Sequence, residues 1–346
     1  MIKKMKYSVL ILIIFTSSMI KAQLENDQDI SKVGTTSAQF LKISSGGRGL
    51  AMGSANVAIS GDLTSSFWNP AGLAQMKGIQ VYFENNGWLA GTDYNYGAFG
   101  FEWPRVGVFS LSLTMLTSPD DLVRTVEKPN GTGEKFNAQD MSIGISVGKS
   151  LTDQLSLGAS IKNIRQRIWH SSGQTIAVDI GVQYKTPIKD LILGASIANF
   201  GNDLSLNGRD MNLSVDPDPN NQGNIEFVNA QYETDAFPLP LLFRVGIGGH
   251  LINKENLNVL FAVDAVHPND NYEYLNLGLE TNINKMFSIR AGYPGIGKKD
   301  AIEGLSLGVG LKYPIMNTSN TLVVEYTSAD FGPLGIVQRV SLGFNY

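Results

Sequence analysis

A strict period of two closes this chain. Along Val337-Gln-Arg-Val-Ser-Leu-Gly-Phe-Asn-Tyr346, Val340, Leu342, Phe344 and Tyr346 point one way, and Arg339, Ser341, Gly343 and Asn345 point the other. One face is oily and one is polar. In a soluble sheet the oily face packs on a core. In a membrane barrel it meets lipid, and the polar face lines the lumen. A strand that ends the chain on an aromatic suits the barrel, because such barrels carry aromatic girdles and seal by pairing the last strand with the first.

The same alternation recurs from residue 79 onward. It predicts fourteen strands, near 79–89, 93–103, 106–116, 138–150, 153–166, 175–186, 190–202, 239–250, 256–266, 272–283, 286–293, 304–313, 319–327 and 336–346. Most are close to the ~9–11 residues a tilted membrane strand needs. The pattern is clearest in Phe109-Ser-Leu-Ser-Leu-Thr-Met115 and Leu305-Ser-Leu-Gly-Val-Gly-Leu311. Connection lengths alternate as well. After odd strands come the longer ones: 117–137, 167–174, 203–238, 267–271, 294–303 and 328–335. After even strands come tight turns such as Pro104-Arg105 and Asn284-Lys285. Only Ala90-Gly91-Thr92 breaks the phase. Short turns on one side and long loops on the other are the outer-membrane pattern.

The amino terminus reads as a signal peptide, residues 1–22. Lys3, Lys4 and Lys6 precede an apolar run from Val9 to Phe15, and Lys21-Ala22-Gln23 supplies the cut. The run is too short for a membrane helix, which needs ~20 residues. No other apolar run is long enough, so a membrane form must be a closed barrel, the one other backbone that satisfies its polar groups in lipid. The chain has no cysteine, which excludes disulfides and thiolate metal sites. A net charge of −4 gives no basic footprint for nucleic acid. The three histidines, His170, His250 and His267, lie on different predicted elements and imply no metal cluster or triad. His170 beside Ser171 and Ser172 falls in an external loop without an orienting acid nearby. No enzyme activity, cofactor or metal is expected.

Residues 23–78 do not alternate and are about the length needed to fold inside a barrel as a plug; residues 79–346 form the barrel. The glycines at 46, 47, 49 and 53 lack the strand and helix of a phosphate loop. They fit a turn in which backbone approaches backbone. Phe67 and Trp68 precede Asn69-Pro70, where a short helix or turn ends. Arg48 is a candidate latch, with Gly49, Gly53, Asn69 and Pro70 as further plug residues. Alternation places Lys162, Asp179, Arg244, Asp264, Glu280, Lys312 and Glu325 on the lumen face. There a charge is tolerated when it pairs. Aromatics including Tyr82, Trp88, Tyr94, Tyr96, Phe99, Trp103, Tyr293 and Tyr326 collect toward strand ends and suggest interfacial belts.

Ser37-Ala-Gln-Phe-Leu-Lys-Ile43, Arg48-Gly-Leu-Ala-Met-Gly53 and Asn69-Pro-Ala-Gly-Leu73 resemble the start of the PorV/PorQ family, exported proteins of Bacteroidota and related bacteria. That family is similar in fold to the FadL-type fatty-acid transporters. The resemblance implies an all-β fold: a 14-stranded antiparallel transmembrane β-barrel with an N-terminal plug. It implies the outer membrane of a Gram-negative, Bacteroidota-like bacterium. In the best-known members it implies a part in type IX secretion, where one member takes cargo from the translocon and hands it to a surface-attachment complex. This chain carries the shared plug motif but no residue diagnostic of the cargo-shuttle member.

The first expectation is therefore a non-enzymatic component of protein secretion or surface attachment. Its partners would be outer-membrane lipid and type IX components or cargo, met by loops 117–137 and 203–238. The alternative is a FadL-like channel for a hydrophobic ligand, with an apolar pocket beside the plug lined by Phe40, Leu41, Phe67 and Trp68. A purely structural barrel or adhesin is a third.

Overall fold

Runs of β-branched and aromatic residues alternating with Ser, Thr and Gly favour a pleated surface with two unlike faces. In the computed structural model these runs are fourteen barrel strands: β1 (Ile79–Gly87), β2 (Asp93–Trp103), β3 (Gly107–Thr117), β4 (Ala138–Ser150), β5 (Leu155–Ile168), β6 (Ser171–Lys185), β7 (Leu191–Gly201), β8 (Leu242–Asn253), β9 (Leu257–Pro268), β10 (Tyr274–Ile283), β11 (Phe287–Ile296), β12 (Ser306–Pro314), β13 (Thr321–Asp330) and β14 (Ile336–Asn345). The structure describes residues 32–346 apart from 60, 189, 219, 222–226, 300 and 316–319. The expected signal peptide lies outside the described residues.

Each strand pairs antiparallel with its neighbours in sequence, and β1 pairs with β14, so the sheet closes. Val81 stands opposite Phe344, and Phe83 opposite Leu342. Ile79 and Tyr346 exchange both backbone hydrogen bonds at the seam. Closure leaves no edge strand with unpaired donors. The outer face is apolar: Ile145, Ile161, Ile180, Val245, Leu279, Val309 and Val340 are all exposed. Inward positions between them are Ser, Gly or charged and buried, as Asp179, Glu280 and Arg339 are. Oily outside and charged inside is the inverse of a soluble protein, and it is what a bilayer demands. The molecule is a transmembrane barrel.

The turns after even strands span only three to six residues, from 104–106 to 315–320. The longest connections, 118–137 and 202–241, lie at the opposite end and carry two-stranded ribbons, Asp121–Leu122 with Lys135–Phe136 and Asn212–Val215 with Val228–Gln231. One expected long loop is absent. Connection 167–174 shrinks to Trp169-His170, because β5 and β6 keep pairing through Ile168 and Ser171. The polar run Ser171-Ser-Gly-Gln174 hides this extension from a hydrophobicity pattern; its backbone pairs regardless of side chain.

Residues 34–78 lie inside the cylinder. They form a 3-10 helix (Gln39–Lys42), α1 (Gly47–Ala51), α2 (Ser65–Trp68) and a second 3-10 helix (Pro70–Gln75). Asn69 caps the last of these by accepting from Ala71 N at 3.1 Å, and Pro70 follows at the first helical position. Leu63, Leu73 and Met76 pack against Tyr94, Tyr96 and Val108 of the wall. Tyr82, Tyr94 and Tyr96 therefore face the plug, which corrects their assignment to a lipid belt. The belt comes from the outward aromatics Phe83, Phe99, Trp103, Tyr293, Tyr313 and Tyr326. A tyrosine inside the barrel is stabilised because its hydroxyl finds a partner: Tyr94 meets Ser45 at 2.6 Å, and Tyr96 meets Ser66 at 3.0 Å.

Candidate functional site

An irregular segment inside a barrel must satisfy its own backbone N–H and C=O groups. Here the wall does so. Asp264 accepts from Asn56 N at 2.7 Å and Val57 N at 2.9 Å. Gln183 donates to the carbonyls of Val57 and Ile59, Thr327 to Gly47 O, and Ser196 to Trp68 O. From the plug side, Asn69 donates to Val57 O at 2.8 Å and reaches the wall at Val182 O, 3.1 Å.

Wall glycines let the two backbones touch. A Cβ on Gly158 would stand 2.2 Å from the Pro70 carbonyl carbon, and one on Gly181 would stand 1.9 Å from Asn69 Oδ1. Gly53 has φ +60° and faces Gly292, whose Cβ would stand 2.0 Å from Gly53 N. Gly49 makes room for the indole of Trp68 instead, where a Cβ would stand 2.7 Å away.

Arg48 sits in α1. Its Nε and Nη2 each lie 2.8 Å from a Glu280 carboxylate oxygen, a bidentate clamp on β10. Its Nη1 lies 3.0 Å from Asp62 Oδ2, elsewhere in the plug. The chain of charges continues: Arg290 Nε stands 2.6 Å from Glu280, and Arg290 Nη1 stands 2.8 Å from Glu325 Oε1. A second buried pair joins Glu84 to Arg339 at 2.9 Å, with Gly46 N donating to Glu84 at 2.9 Å. A third clasp holds the amino-terminal part of the plug. Lys42, Gln39 and Thr36 all bond to Asp270, in the loop after β9, at 2.7–2.8 Å. Burial would raise that carboxyl, but these hydrogen bonds outweigh it and hold Asp270 below the ordinary range.

Lys162 stands 2.8 Å from Asp179, where the β6–β7 register shifts between Val178 and Ile180. Lys312 lines a wide polar cavity of about 420 Å³ at the short-turn end, with Lys254, Lys285, Arg290 and Glu325. Arg48, Asp62 and Thr64 also line it, so the plug bounds it. Glu84, Arg290 and Arg339 share the inward alternation and were legible by it, although they are absent from the predicted lumen set. Asp62 and Asp270 lie in aperiodic segments and leave no such signal.

The four residues named for an apolar pocket are packed against neighbouring side chains. Phe40 and Leu41 are packed with Ile164, Leu204 and Leu239. Phe67 and Trp68 stack edge-on to each other at 4.9 Å, and the Trp68 indole donates to Ser45 O. Among the described residues, Leu41 and Phe67 border a gap of about 20 Å³ lined mainly by polar side chains. Bulky apolar groups in the plug fill space rather than enclose it. His170 is also corrected. Its Nδ1 lies 2.6 Å from Asp210, an acid that loop 202–241 folds back from a distance in sequence.

No family model matches the chain, and no curated protein matches it in sequence. Solved structures do. The toluene transporter TbuX of Ralstonia pickettii matches over 87% of this chain and 97% of its own, with 12% identity and TM-score 0.52. A FadL homologue of Pseudomonas aeruginosa matches over 87% and 98%, again with 12% identity and TM-score 0.52. The monoaromatic hydrocarbon channel CymD matches over 86% and 96%, with 14% identity and TM-score 0.51. The fold is FadL-like.

Proposed function

We propose that this protein is a plugged outer-membrane channel that admits small hydrophobic compounds. Support comes from fold neighbours described as a toluene transporter and a monoaromatic hydrocarbon channel, matched over nearly their whole length. The observation that carries the reading is the plug itself. It is clasped to the wall by side-chain bonds and ion pairs, with open volume behind it at the short-turn end. A small shift of such a plug opens a path. The test is uptake of radiolabelled toluene by cells with and without the gene. The initial rate should fall several-fold on deletion and recover with the wild-type gene; an unchanged rate refutes the reading.

A second reading, a PorV/PorQ-like role in type IX secretion or surface attachment in a Bacteroidota-like cell, is favoured by one observation. The interior is charged and packed, while the long-loop end exposes Val126, Phe227, Tyr232 and Phe237. Affinity capture from native membranes should then recover a secretion component or a cargo carboxy-terminal domain. Recovery of the barrel alone counts against it.

A further inference from the structure

We propose that the outward face of β5, just above the oily band, binds the phosphate of a lipid A headgroup from the outer leaflet, held by Arg165 and Arg167. Alternation divides β5 into two faces. Ser156, Gly158, Ser160 and Ile164 are buried inside, while Leu157, Ile161 and Arg165 are exposed. Arg165 and Arg167 share the lipid face, two residues or about 6.6 Å apart along the strand. Ile161 stands between Ile145 of β4 and Val178 of β6. Two residues on, Asn163 stands between Ile143 and Ile176, the last row with aliphatic neighbours on both sides. Arg165 then stands between Met141 and Gln174, and Arg167 between Gln139 and Ser172. The change from aliphatic to cationic and amide side chains marks the edge of the hydrocarbon, where lipid headgroups lie. β5 runs toward the long-loop end here, which faces the cell exterior in an outer-membrane barrel.

Among the described residues, no carboxylate lies within ion-pair reach of either arginine, and the Arg165 side chain has no hydrogen-bond partner. Arg167 Nη2 donates to the neutral Asn137 at 2.8 Å. The acids around them are placed elsewhere. Asp140 of β4 alternates inward with Ser142 and Ser146. Asp121 pairs with Arg124, and Asp210 with His170. Asp120 accepts from Asn137 at 3.0 Å, one residue removed from Arg167; set against Arg167, it still leaves Arg165 unbalanced. Asp93, the outward acid reached through Thr117 and Gln139, lies three strands or about 14 Å away. Two like charges on one face repel, and beside lipid that repulsion is screened less than in bulk water. A phosphate between them removes it and accepts charge-assisted hydrogen bonds from both guanidinium groups. The neighbours Ser172 and Gln174 add neutral donors. The pair is also local to β5. Lys162, Arg244, Arg290 and Arg339 alternate inward, and Lys149, the other outward cation among the described strand residues, lies at the short-turn end. The site rests on the outer-membrane placement and not on what the barrel transports.

The experiment uses the full-length protein refolded in lipid-free detergent, with lipid binding read by native mass spectrometry. The wild type should bind added lipid A, and bind dephosphorylated lipid A about tenfold or more weakly, the loss expected when charge-assisted hydrogen bonds are removed. Arg165→Gln combined with Arg167→Gln should weaken lipid A binding by the same factor and erase the preference for the phosphate. Lys149→Gln, an outward cation at the other end of the wall, should bind as the wild type does. A heat-modifiable band on gels shows that each variant has closed its barrel. Equal binding of the two lipid A forms, a double variant that binds as the wild type does, or tighter binding of phosphatidylglycerol than of lipid A would overturn the proposal.

Discussion

At the residue scale, individual side chains hold an irregular segment against a glycine-lined wall. Arg48 is the clearest case. Replacing it with Met leaves Glu280 paired to Arg290 alone and Asp62 unpaired. The expected loss is about 2–4 kcal/mol in urea unfolding, at or below the usual range for breaking a buried pair because Arg290 remains. The same variant should raise single-channel conductance in planar bilayers; unchanged stability and conductance would remove Arg48 from the latch. Gly292→Val tests close approach instead of charge. Its Cβ would overlap Gly53 N, and backbone cannot yield as a flexible side-chain tip can. The plug should be displaced, and trypsin should cut after Arg48 in the variant but not in the wild type. The inward charges on strands were readable from alternation, because position on a strand fixes the face. Their partners were not. Arg48 and Glu280 are 232 residues apart, and only the closed cylinder brings them together.

At the element scale, strands were legible where alternation was unbroken. The boundaries of β4, Ala138–Ser150, coincide with those the pattern predicts. The turn at Trp169-His170 was missed because polar strand ends beyond the bilayer carry no oily face to read. The plug was legible as an interruption but not in its geometry, since short 3-10 and helical pieces have no sustained period. Two elements carry predictions. The Asp270 clasp is depressed in the folded state, so its contribution is fully present above the unfolded carboxylate pKa of ~3.9 and is lost as pH falls through the lower folded value. Amide-exchange protection factors at residues 36–42, taken against the intrinsic rate at each pH, should fall below pH 4 in the wild type. In Asp270→Asn protection should be low at all pH values; a wild-type protection factor that does not change with pH would contradict the assignment. Deleting residues 344–346 removes the Ile79–Tyr346 bonds and the Phe344 pairing with Val81 and Leu322. The truncated chain should fail to give a heat-modifiable band on gels, the signature of a closed barrel.

At the scale of the whole molecule, the fold follows from one constraint: every backbone polar group must be paired in lipid. Fourteen antiparallel strands close on themselves, and the interior left over is filled by the chain's own leading segment. The polarity of the wall is thus set twice, by lipid outside and by the plug's unpaired backbone inside. Gly47 and Thr327 give the most direct test, because Thr327 Oγ1 donates to Gly47 O at 2.8 Å across the boundary between plug and β13. The natural chain has no cysteine, so the double variant Gly47→Cys, Thr327→Cys carries a single possible pair. Oxidised in lipid vesicles, it should form a disulfide that shifts gel mobility and shields both thiols from a water-soluble maleimide. Two free, maleimide-reactive thiols in membrane-inserted protein would contradict a barrel stoppered by its own amino-terminal segment.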